Sequence, residues 1–125
     1  MLVGVPKEIK SGEARVGLTP DAVGEYVAHG HRVLVETGAG AGIGAEDRAY
    51  VEAGARIAEA AAEVFAKADM IVKVKEPQPK EWAQLHPGQI LFTYLHLAAD
   101  PAQARGLIAS GATAVAYETV TDAEG

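Results

Sequence analysis

A long, charged segment follows the first apolar run of the sequence, and Arg15 is its most promising side chain. The segment covers residues 6–20, whereas roughly 2 to 6 residues usually connect a strand to a helix, and long loops at strand ends often carry binding residues. A planar guanidinium suits a carboxylate held by two parallel hydrogen bonds. The spacing alone leaves a second interpretation open, in which Arg15 is a solvated surface residue paired with Glu13 or Glu8.

Two lysines, Lys73 and Lys75, lie near the end of a predicted strand at residues 70–74. Alternation along a strand places both on the same side of the sheet, and Pro77 then ends the strand. A lysine at the carboxyl end of a strand could neutralise an anionic substrate, so Lys75 is a second candidate. The alternative is a basic strand end that faces water.

His96 follows the predicted strand at residues 90–94 and precedes a predicted helix. Because imidazole changes its charge near neutral pH, a histidine here could pass a proton to or from a substrate oxygen or nitrogen. A histidine satisfied by one backbone hydrogen bond is the alternative. The other histidines, His29, His31 and His86, lie at predicted helix ends or turns, and four scattered histidines without cysteine give no metal-ligand spacing.

A glycine-rich run at residues 38–45 follows a predicted strand and precedes a helix. Gly40-x-Gly42-x-x-Ala45 fits the looser form of the dinucleotide-binding fingerprint. The full fingerprint also needs an acidic residue that closes the next strand about 20 positions further on, whereas residues 60–65 have a helical pattern flanked by Glu59. We therefore interpret the glycines as a turn that brings backbones close together, and we expect no cofactor-binding residue in this chain.

The elements that must position these residues alternate between apolar, β-branched strands and helices. Strands are predicted at residues 2–5, 33–35, 70–74, 90–94 and 113–116, and helices at residues 20–29, 46–53, 59–66, 79–85 and 101–110. Thr19-Pro20 and Asp100-Pro101 each place a capping side chain before a proline at the first helical position. The alternation predicts an α/β fold with a doubly wound, three-layer parallel sheet of flavodoxin-like or Rossmann-like type, in which ligands meet the carboxyl ends of strands.

Composition limits the classes of function. A chain of 125 residues with 49% hydrophobic residues supports one compact domain. Its 11 Lys+Arg against 17 Asp+Glu give a net charge of −6, the wrong sign for nucleic acid. The absence of cysteine fits a cytoplasmic location, and neither a signal peptide nor a membrane span is expected. Residues 121–125 carry no cap or apolar anchor, so we expect the natural protein to continue.

Several ordered motifs resemble those of one enzyme family. The beginning of the chain resembles the opening motif that alanine dehydrogenases share with the α subunits of nicotinamide nucleotide transhydrogenases. The segments that carry this resemblance are Gly4-Val5-Pro6-Lys7-Glu8, Glu13-x-Arg15-Val16 and Leu18-Thr19-Pro20. Three later segments resemble alanine dehydrogenases in particular: VKVKEP at residues 72–77, LFTYLHLAA at 91–99 and YETV at 117–120. The resemblance therefore runs from residue 2 to about residue 120, and the motifs together are highly specific.

The resemblance implies roles for the three candidate residues. Arg15 and Lys75 would bind the carboxylate of L-alanine or pyruvate, and His96 would be the acid/base group in the interconversion of amine and ketone. Lys75 would also polarise the substrate carbonyl, so His96 and Lys75 are the expected catalytic residues. The implied reaction is the reversible oxidative deamination of L-alanine to pyruvate and ammonia, with NAD as the cofactor.

The same resemblance places the nucleotide-binding domain and a catalytic aspartate beyond residue 125. Residues 1–125 would form the amino-terminal part of the substrate domain, hold neither NAD nor metal, and be inactive alone. Family resemblance also implies a homo-oligomer, often a hexamer, without a nucleic-acid or membrane partner. Two alternatives stay open: the α subunit of a proton-translocating transhydrogenase, against which His96 argues, and a non-catalytic module of the same fold used for assembly.

Overall fold

The computed structural model describes residues 1–122, in which strands and helices alternate along the chain. The strands are β1 (Leu2–Val5), β2 (Arg32–Glu36), β3 (Arg56–Ala58), β4 (Met70–Val72), β5 (Ile90–Thr93) and β6 (Thr113–Ala116). The helices are α1 (Pro20–Ala28), α2 (Asp47–Glu52), α3 (Ala61–Lys67), α4 (Pro79–Trp82) and α5 (Pro101–Ser110). Short 3₁₀ turns lie in the connections, at Ala41–Ile43, Leu97–Ala99 and Tyr117–Thr119.

The six strands form one sheet in the order β3-β2-β1-β4-β5-β6, and every neighbouring pair is parallel. The chain builds outward from β1 to β3, crosses back to β4 beside β1, and then builds outward in the other direction. This topology confirms the doubly wound parallel sheet and gives it the Rossmann order rather than the flavodoxin order. The winding reverses between β1 and β4, so the crevice where such sheets bind ligands lies at the carboxyl ends of these two strands.

The sheet has a hydrophobic core on each face, which gives the predicted three layers. Along β2, Val33 and Val35 pack into the core that α1 and α2 cover, whereas Leu34 between them packs into the core that α3 and α5 cover. Val23 of α1 and Phe65 of α3 are fully or almost fully buried on their respective faces. The period of two in β2 therefore places successive side chains in opposite layers.

The two predicted helix caps are confirmed. The Thr19 hydroxyl accepts a hydrogen bond from the Ala22 N–H at 3.2 Å, and the Asp100 carboxylate accepts one from the Gln103 N–H at 3.1 Å. Each cap is followed by a proline as the first helical residue. In the described part of the chain, no helix combines the length and apolarity needed to cross a bilayer.

The sequence-based boundaries were wrong at several places. Strand β3 was missed because its three residues are too short to show an alternation, although it pairs with β2 along its whole length. The strands predicted at residues 70–74 and 90–94 end early, at Val72 and Thr93, because the N–H groups that follow donate to the carboxylates of Glu8 and Glu118 instead of to a neighbouring strand. The helix predicted at residues 79–85 ends at Trp82.

Candidate functional site

Three loops meet at the carboxyl ends of β1, β4 and β5. The loop after β1 crosses the end of β4 so closely that a Cβ on Gly17 would lie 2.4 Å from the Val72 carbonyl oxygen. A side chain at this position would therefore push the two segments apart. Lys10 of the same loop forms an ion pair with Glu76, which follows β4. The charged segment after β1 is thus ordered and packs against the carboxyl end of β4.

A buried group of charges ties these loops together. The Lys73 ammonium lies 2.9 Å from a Glu8 carboxylate oxygen and 3.0 Å from a Glu81 carboxylate oxygen, and all three side chains are almost fully buried. Burial raises the pKa of the Glu81 carboxyl, although the positive Lys73 opposes this shift. The expectation that Lys73 lies in the strand beside Lys75 was wrong, because β4 ends at Val72 and Lys73 is held inside the protein by the two carboxylates.

The backbone around Lys75 is fixed from three sides. Glu8 accepts hydrogen bonds from the Val74 N–H at 3.0 Å and the Lys75 N–H at 3.2 Å. The hydroxyl of Thr93, at the end of β5, donates to the Lys75 carbonyl at 2.8 Å, and the Tyr117 hydroxyl donates to the Val74 carbonyl at 2.5 Å. Burial raises the pKa of Tyr117, so its hydroxyl keeps its proton at neutral pH and can donate. These hydrogen bonds therefore restrict the backbone conformation at Lys75.

Arg15 forms a two-point ion pair with Glu13. Its Nε and Nη2 donate to the two carboxylate oxygens at 2.9 and 2.8 Å, and its backbone N–H donates to Oε2 at 2.8 Å. The hydrogen bonds from the Arg15 side chain and backbone lower the pKa of Glu13 from 4.5 to about 2. The Arg15 side chain is 64% exposed, whereas that of Glu13 is only 6% exposed, so the guanidinium is the partner that solvent or a ligand can reach.

A second set of contacts links Lys75 to His96 through Tyr94. The Lys75 ammonium lies 5.1 Å from the centre of the Tyr94 ring, within the range of a cation–π contact. The Tyr94 hydroxyl lies 2.6 Å from His96 Nδ1, and the two rings stack with centroids 5.6 Å apart. Lys75 also acts electrostatically on Glu13, the partner of Arg15. The three candidate residues therefore lie in loops at the carboxyl ends of β1, β4 and β5, and Tyr94 contacts both Lys75 and His96.

His96 has an unusual backbone that its neighbours stabilise. Its φ of 48° lies in the left-handed region, which is uncommon for a residue other than glycine. The Glu118 carboxylate accepts hydrogen bonds from the His96 N–H at 2.8 Å and the Leu95 N–H at 3.2 Å, and the buried Gln103 amide donates to the Leu95 carbonyl at 2.8 Å. Desolvation alone would raise the pKa of Glu118, but the hydrogen bond from the His96 N–H helps to hold it below its usual value. Backbone strain of this kind clusters at functional positions.

The glycine-rich turn packs against the loop that carries Arg15. A Cβ on Gly42 would lie 2.1 Å from the Ala14 carbonyl oxygen, so the prediction that these glycines bring two backbones together is confirmed. A cleft of about 370 Å³ lies between the turn and the loop, and Arg15 and Lys7 are among its lining residues. One reason for rejecting the fingerprint needs correction: Glu59 directly follows strand β3 rather than lying on a helix. The run nevertheless follows β2, whereas the dinucleotide fingerprint belongs to the first βα turn, after β1.

Comparison with known proteins gives the family. The family model described as "Alanine dehydrogenase/PNT, N-terminal domain" matches residues 4–125. The chain belongs to this family. The alanine dehydrogenase of Bacillus subtilis (strain 168) is 54% identical over 122 residues, which is 98% of this chain and 32% of that protein. The chain therefore spans about a third of the length of the curated relative.

Solved structures of the alanine dehydrogenase/PNT family have the same fold. A structure titled L-alanine dehydrogenase superposes with a TM-score of 0.95 at 48% identity, covering 99% of this chain and 34% of the other. A transhydrogenase from Sinorhizobium meliloti superposes with a TM-score of 0.90 at 28% identity, covering 98% of this chain and 36% of the other. The α/β fold predicted from the sequence is confirmed by these likenesses, and the alanine dehydrogenase is the more similar of the two in sequence.

Sequence reasoning assigned no role to several residues that build this edge in the family domain. Glu13 was considered only as a surface partner of Arg15, and Tyr94, Tyr117 and Glu118 were noted only as parts of motifs. Their positions could have been inferred from order alone, because Tyr94 comes directly after β5 and Tyr117 and Glu118 directly after β6. Within residues 1–122, no three His, Asp or Glu side chains are grouped closely enough to hold a metal ion.

Proposed function

We propose that this chain is the amino-terminal, substrate-binding portion of an NAD-dependent alanine dehydrogenase, which interconverts L-alanine and pyruvate with ammonia. The observation that carries the proposal is the grouping of three side chains at one sheet edge. The guanidinium of Arg15, the ammonium of Lys75 and the imidazole of His96 come from three separate loops; Glu13 pairs with Arg15, and Tyr94 contacts both Lys75 and His96. Membership of the alanine dehydrogenase/PNT family supports it.

Arg15 and Lys75 have the charge and reach to hold the substrate carboxylate. Glu13 occupies the Nε and Nη2 side of the guanidinium, and the group carries further N–H donors on its Nη1 side. The Lys75 ammonium would also attract a carboxylate bound there, because the charges of Arg15 and Lys75 both lower the pKa of Glu13. The same ammonium would polarise the carbonyl of pyruvate, which prepares the carbonyl carbon for attack by ammonia.

His96 would carry the proton that amine and ketone exchange. In the direction of alanine oxidation it would take a proton from the water that attacks the imine carbon, and return it to the departing ammonia. Since the Tyr94 hydroxyl occupies Nδ1, Nε2 is the ring nitrogen left to face a substrate. The hydrogen bonds from the Leu95 and His96 backbone to Glu118 would keep the ring in place through this cycle.

The cofactor does not fit the residues of this chain. The loop after β1, where a Rossmann sheet of this order binds pyrophosphate, carries the buried Glu8 carboxylate and has no G-x-G-x-x-G run. Glu8 already accepts hydrogen bonds from the Lys73 ammonium and from the N–H groups of Val74 and Lys75, so these donors are not available to a phosphate at the switch point. We therefore propose that NAD is bound by a domain outside these 125 residues. The proposal further includes a cytoplasmic homo-oligomer that binds neither membrane nor nucleic acid.

The test is made on a full-length alanine dehydrogenase that carries this chain. We expect His96→Ala to lower kcat by about 10² to 10⁴-fold, the usual contribution of a positioned proton carrier. We expect Arg15→Lys mainly to raise KM for pyruvate, because an ammonium cannot copy a two-point fork. Arg48→Lys is the control, since Arg48 is an exposed arginine paired with Glu52 on α2. If His96→Ala and Arg15→Lys both leave alanine oxidation unchanged, only a non-catalytic assembly module remains.

A transhydrogenase α subunit is the second candidate function. Its support is the TM-score of 0.90 with the Sinorhizobium meliloti transhydrogenase. Such a subunit would use nicotinamide nucleotides without an amino-acid substrate. Hydride exchange between the two nucleotides in the full-length protein, together with no production of NADH from L-alanine, would favour it over the dehydrogenase.

A further inference from the structure

Glu13 is the direct partner of Arg15, one of the two cations that the proposed function assigns to the substrate carboxylate. It forms the two-point ion pair with Arg15 and also interacts electrostatically with Lys75. Its side chain is 6% exposed, and both of its carboxylate oxygens accept hydrogen bonds from Arg15. A carboxylate of the protein thus interacts with the same two groups that are proposed to bind the carboxylate of the substrate.

The geometry of the ion pair leaves part of the Arg15 guanidinium available to a second carboxylate. A guanidinium has two edges that can each hold a carboxylate by two parallel hydrogen bonds: the side edge, made of Nε and Nη2, and the end edge, made of the two Nη nitrogens. Glu13 takes the side edge, at 2.9 and 2.8 Å. Oε2 of the same carboxylate is fixed by the Arg15 backbone N–H at 2.8 Å. The plane of the guanidinium is therefore set by a partner that leaves the end edge for another anion.

Charge supports the same arrangement. Arg15 and Lys75 carry one positive charge each, and two cations near one another repel when no anion lies between them. The negative Glu13 relieves this repulsion and leaves the trio with a net charge of about +1, which complements a single carboxylate. Arg15, with 64% of its side chain exposed, would otherwise lose considerable conformational freedom on binding a small anion.

We propose that Glu13 is a positioning residue for substrate binding: it fixes the guanidinium of Arg15 so that its end edge faces the carboxylate of a small keto acid or amino acid. This inference rests on the proposed function. It predicts that Glu13 supports binding, and it differs from a role in which Glu13 competes with the substrate for the guanidinium.

The first test measures KM and kcat for pyruvate in the full-length enzyme after Glu13→Gln. Glutamine keeps one acceptor oxygen but loses the charge and one of the two parallel hydrogen bonds, so we expect KM to rise by roughly ten-fold while kcat changes by less than about two-fold. Glu63→Gln is the matched control, because Glu63 forms an ion pair with Lys67 on α3, away from the sheet edge. An unchanged KM overturns the inference, and a lowered KM shows that Glu13 competes with the substrate.

The second test is independent of catalysis. In the 125-residue chain, we expect the Nε–H of Arg15 to give an NMR signal protected from exchange with water, assigned by its loss in Arg15→Lys, and we expect that protection to disappear in Glu13→Gln. Equal protection in both proteins overturns the inference. If Glu13→Gln does not fold, Glu13→Asp replaces it: the shorter side chain keeps the charge, and we expect an intermediate KM and partial protection.

The positioning role of Glu13 and the proposed role of Arg15 can be refuted separately. If Arg15→Lys raises KM and Glu13→Gln does not, the positioning role is wrong and the proposed function stands. If neither variant changes KM, the assignment of Arg15 to the substrate carboxylate is wrong as well.

Discussion

Replacing Lys73 by methionine removes the cation that two buried carboxylates share. The Lys73 ammonium lies 2.9 Å from Glu8 and 3.0 Å from Glu81, and each of the three side chains is at most 3% exposed. Methionine fills a similar volume without a charge, so the main consequence is electrostatic. Removing one partner from a buried ion pair costs about 3–5 kcal/mol, because the remaining charge is left without compensation.

This cost predicts a large shift in melting temperature. The entropy of unfolding is about 2.1 cal/mol/K per residue, or about 0.26 kcal/mol/K for 125 residues. A loss of 3–5 kcal/mol should therefore lower Tm by about 11–19 °C, measured by circular dichroism at pH 7. Lys67→Met is the control with the same substitution at an exposed ion pair, where the loss of about 0.3–0.5 kcal/mol corresponds to about 2 °C or less.

The pH dependence of the Lys73→Met deficit has a definite sign. Burial already raises the pKa of Glu81 in the folded protein, and loss of the positive Lys73 should raise it further. A group with a raised folded pKa contributes most to stability below its ordinary pKa of 4.5, and loses that contribution as the pH rises through the folded value. The deficit should therefore be smaller at pH 4 than at pH 7. Equal melting temperatures for Lys73→Met and Lys67→Met, or a deficit that grows on acidification, would refute this account of the buried charges.

Two further predictions concern stability. Gly24→Ala, inside α1 with no atom within 4 Å of the added Cβ, should raise the free energy of unfolding by about 0.5–1 kcal/mol. Gly42→Ala should lower the free energy of unfolding by about 1–3 kcal/mol, because its methyl group would lie 2.1 Å from the Ala14 oxygen. Urea unfolding of both variants checks this ranking, and the reverse order would contradict it. Arg15 lowers the pKa of Glu13 from 4.5 to about 2, so this carboxylate contributes stability above pH 4.5 that is lost as the pH falls towards 2. Tm should fall less steeply over that window in Glu13→Gln than in the parent chain, and parallel curves would show that the ion pair does not contribute.

The sequence was sufficient to predict the fold because its signals are local. Proline after a capping residue marks two helix starts, and β-branched runs mark five of the six strands. Strand β3 was missed for a physical reason: its stability comes from pairing with β2 and from the burial of Ala58, neither of which three residues can signal on their own. Strand β4 was extended too far because Val72-Lys73-Val74 alternates like a strand, although Lys73 is buried in an ion pair with Glu8, which lies 65 residues away in sequence.

The candidate site was predictable in its principal residues and not in their support. Arg15, Lys75 and His96 each follow a strand, and the rule that parallel sheets bind ligands at the carboxyl ends of strands selects them. The contacts that fix them are long-range in sequence: Glu8 holds the Lys75 backbone across 67 positions, and Glu118 holds His96 across 22. Such pairs depend on the strand order, which local patterns do not determine.

The strand order also explains how a chain about a third as long as its relative brings the proposed substrate-binding residues together. In the order β3-β2-β1-β4-β5-β6, the loops that follow β1, β4, β5 and β6 are consecutive neighbours, and they supply Arg15, Lys75, His96 and Glu118. Neighbouring strands lie about 4.8 Å apart, so β1 and β5 are separated by about 10 Å, a gap that long side chains can close around a three-carbon acid. The glycine-rich turn follows β2, on the other side of β1 from these loops. The loops after β1, β4 and β5 therefore bring a guanidinium, an ammonium and an imidazole to one edge of the sheet, while the buried Glu8 pairs with Lys73 and holds the backbone that follows β4.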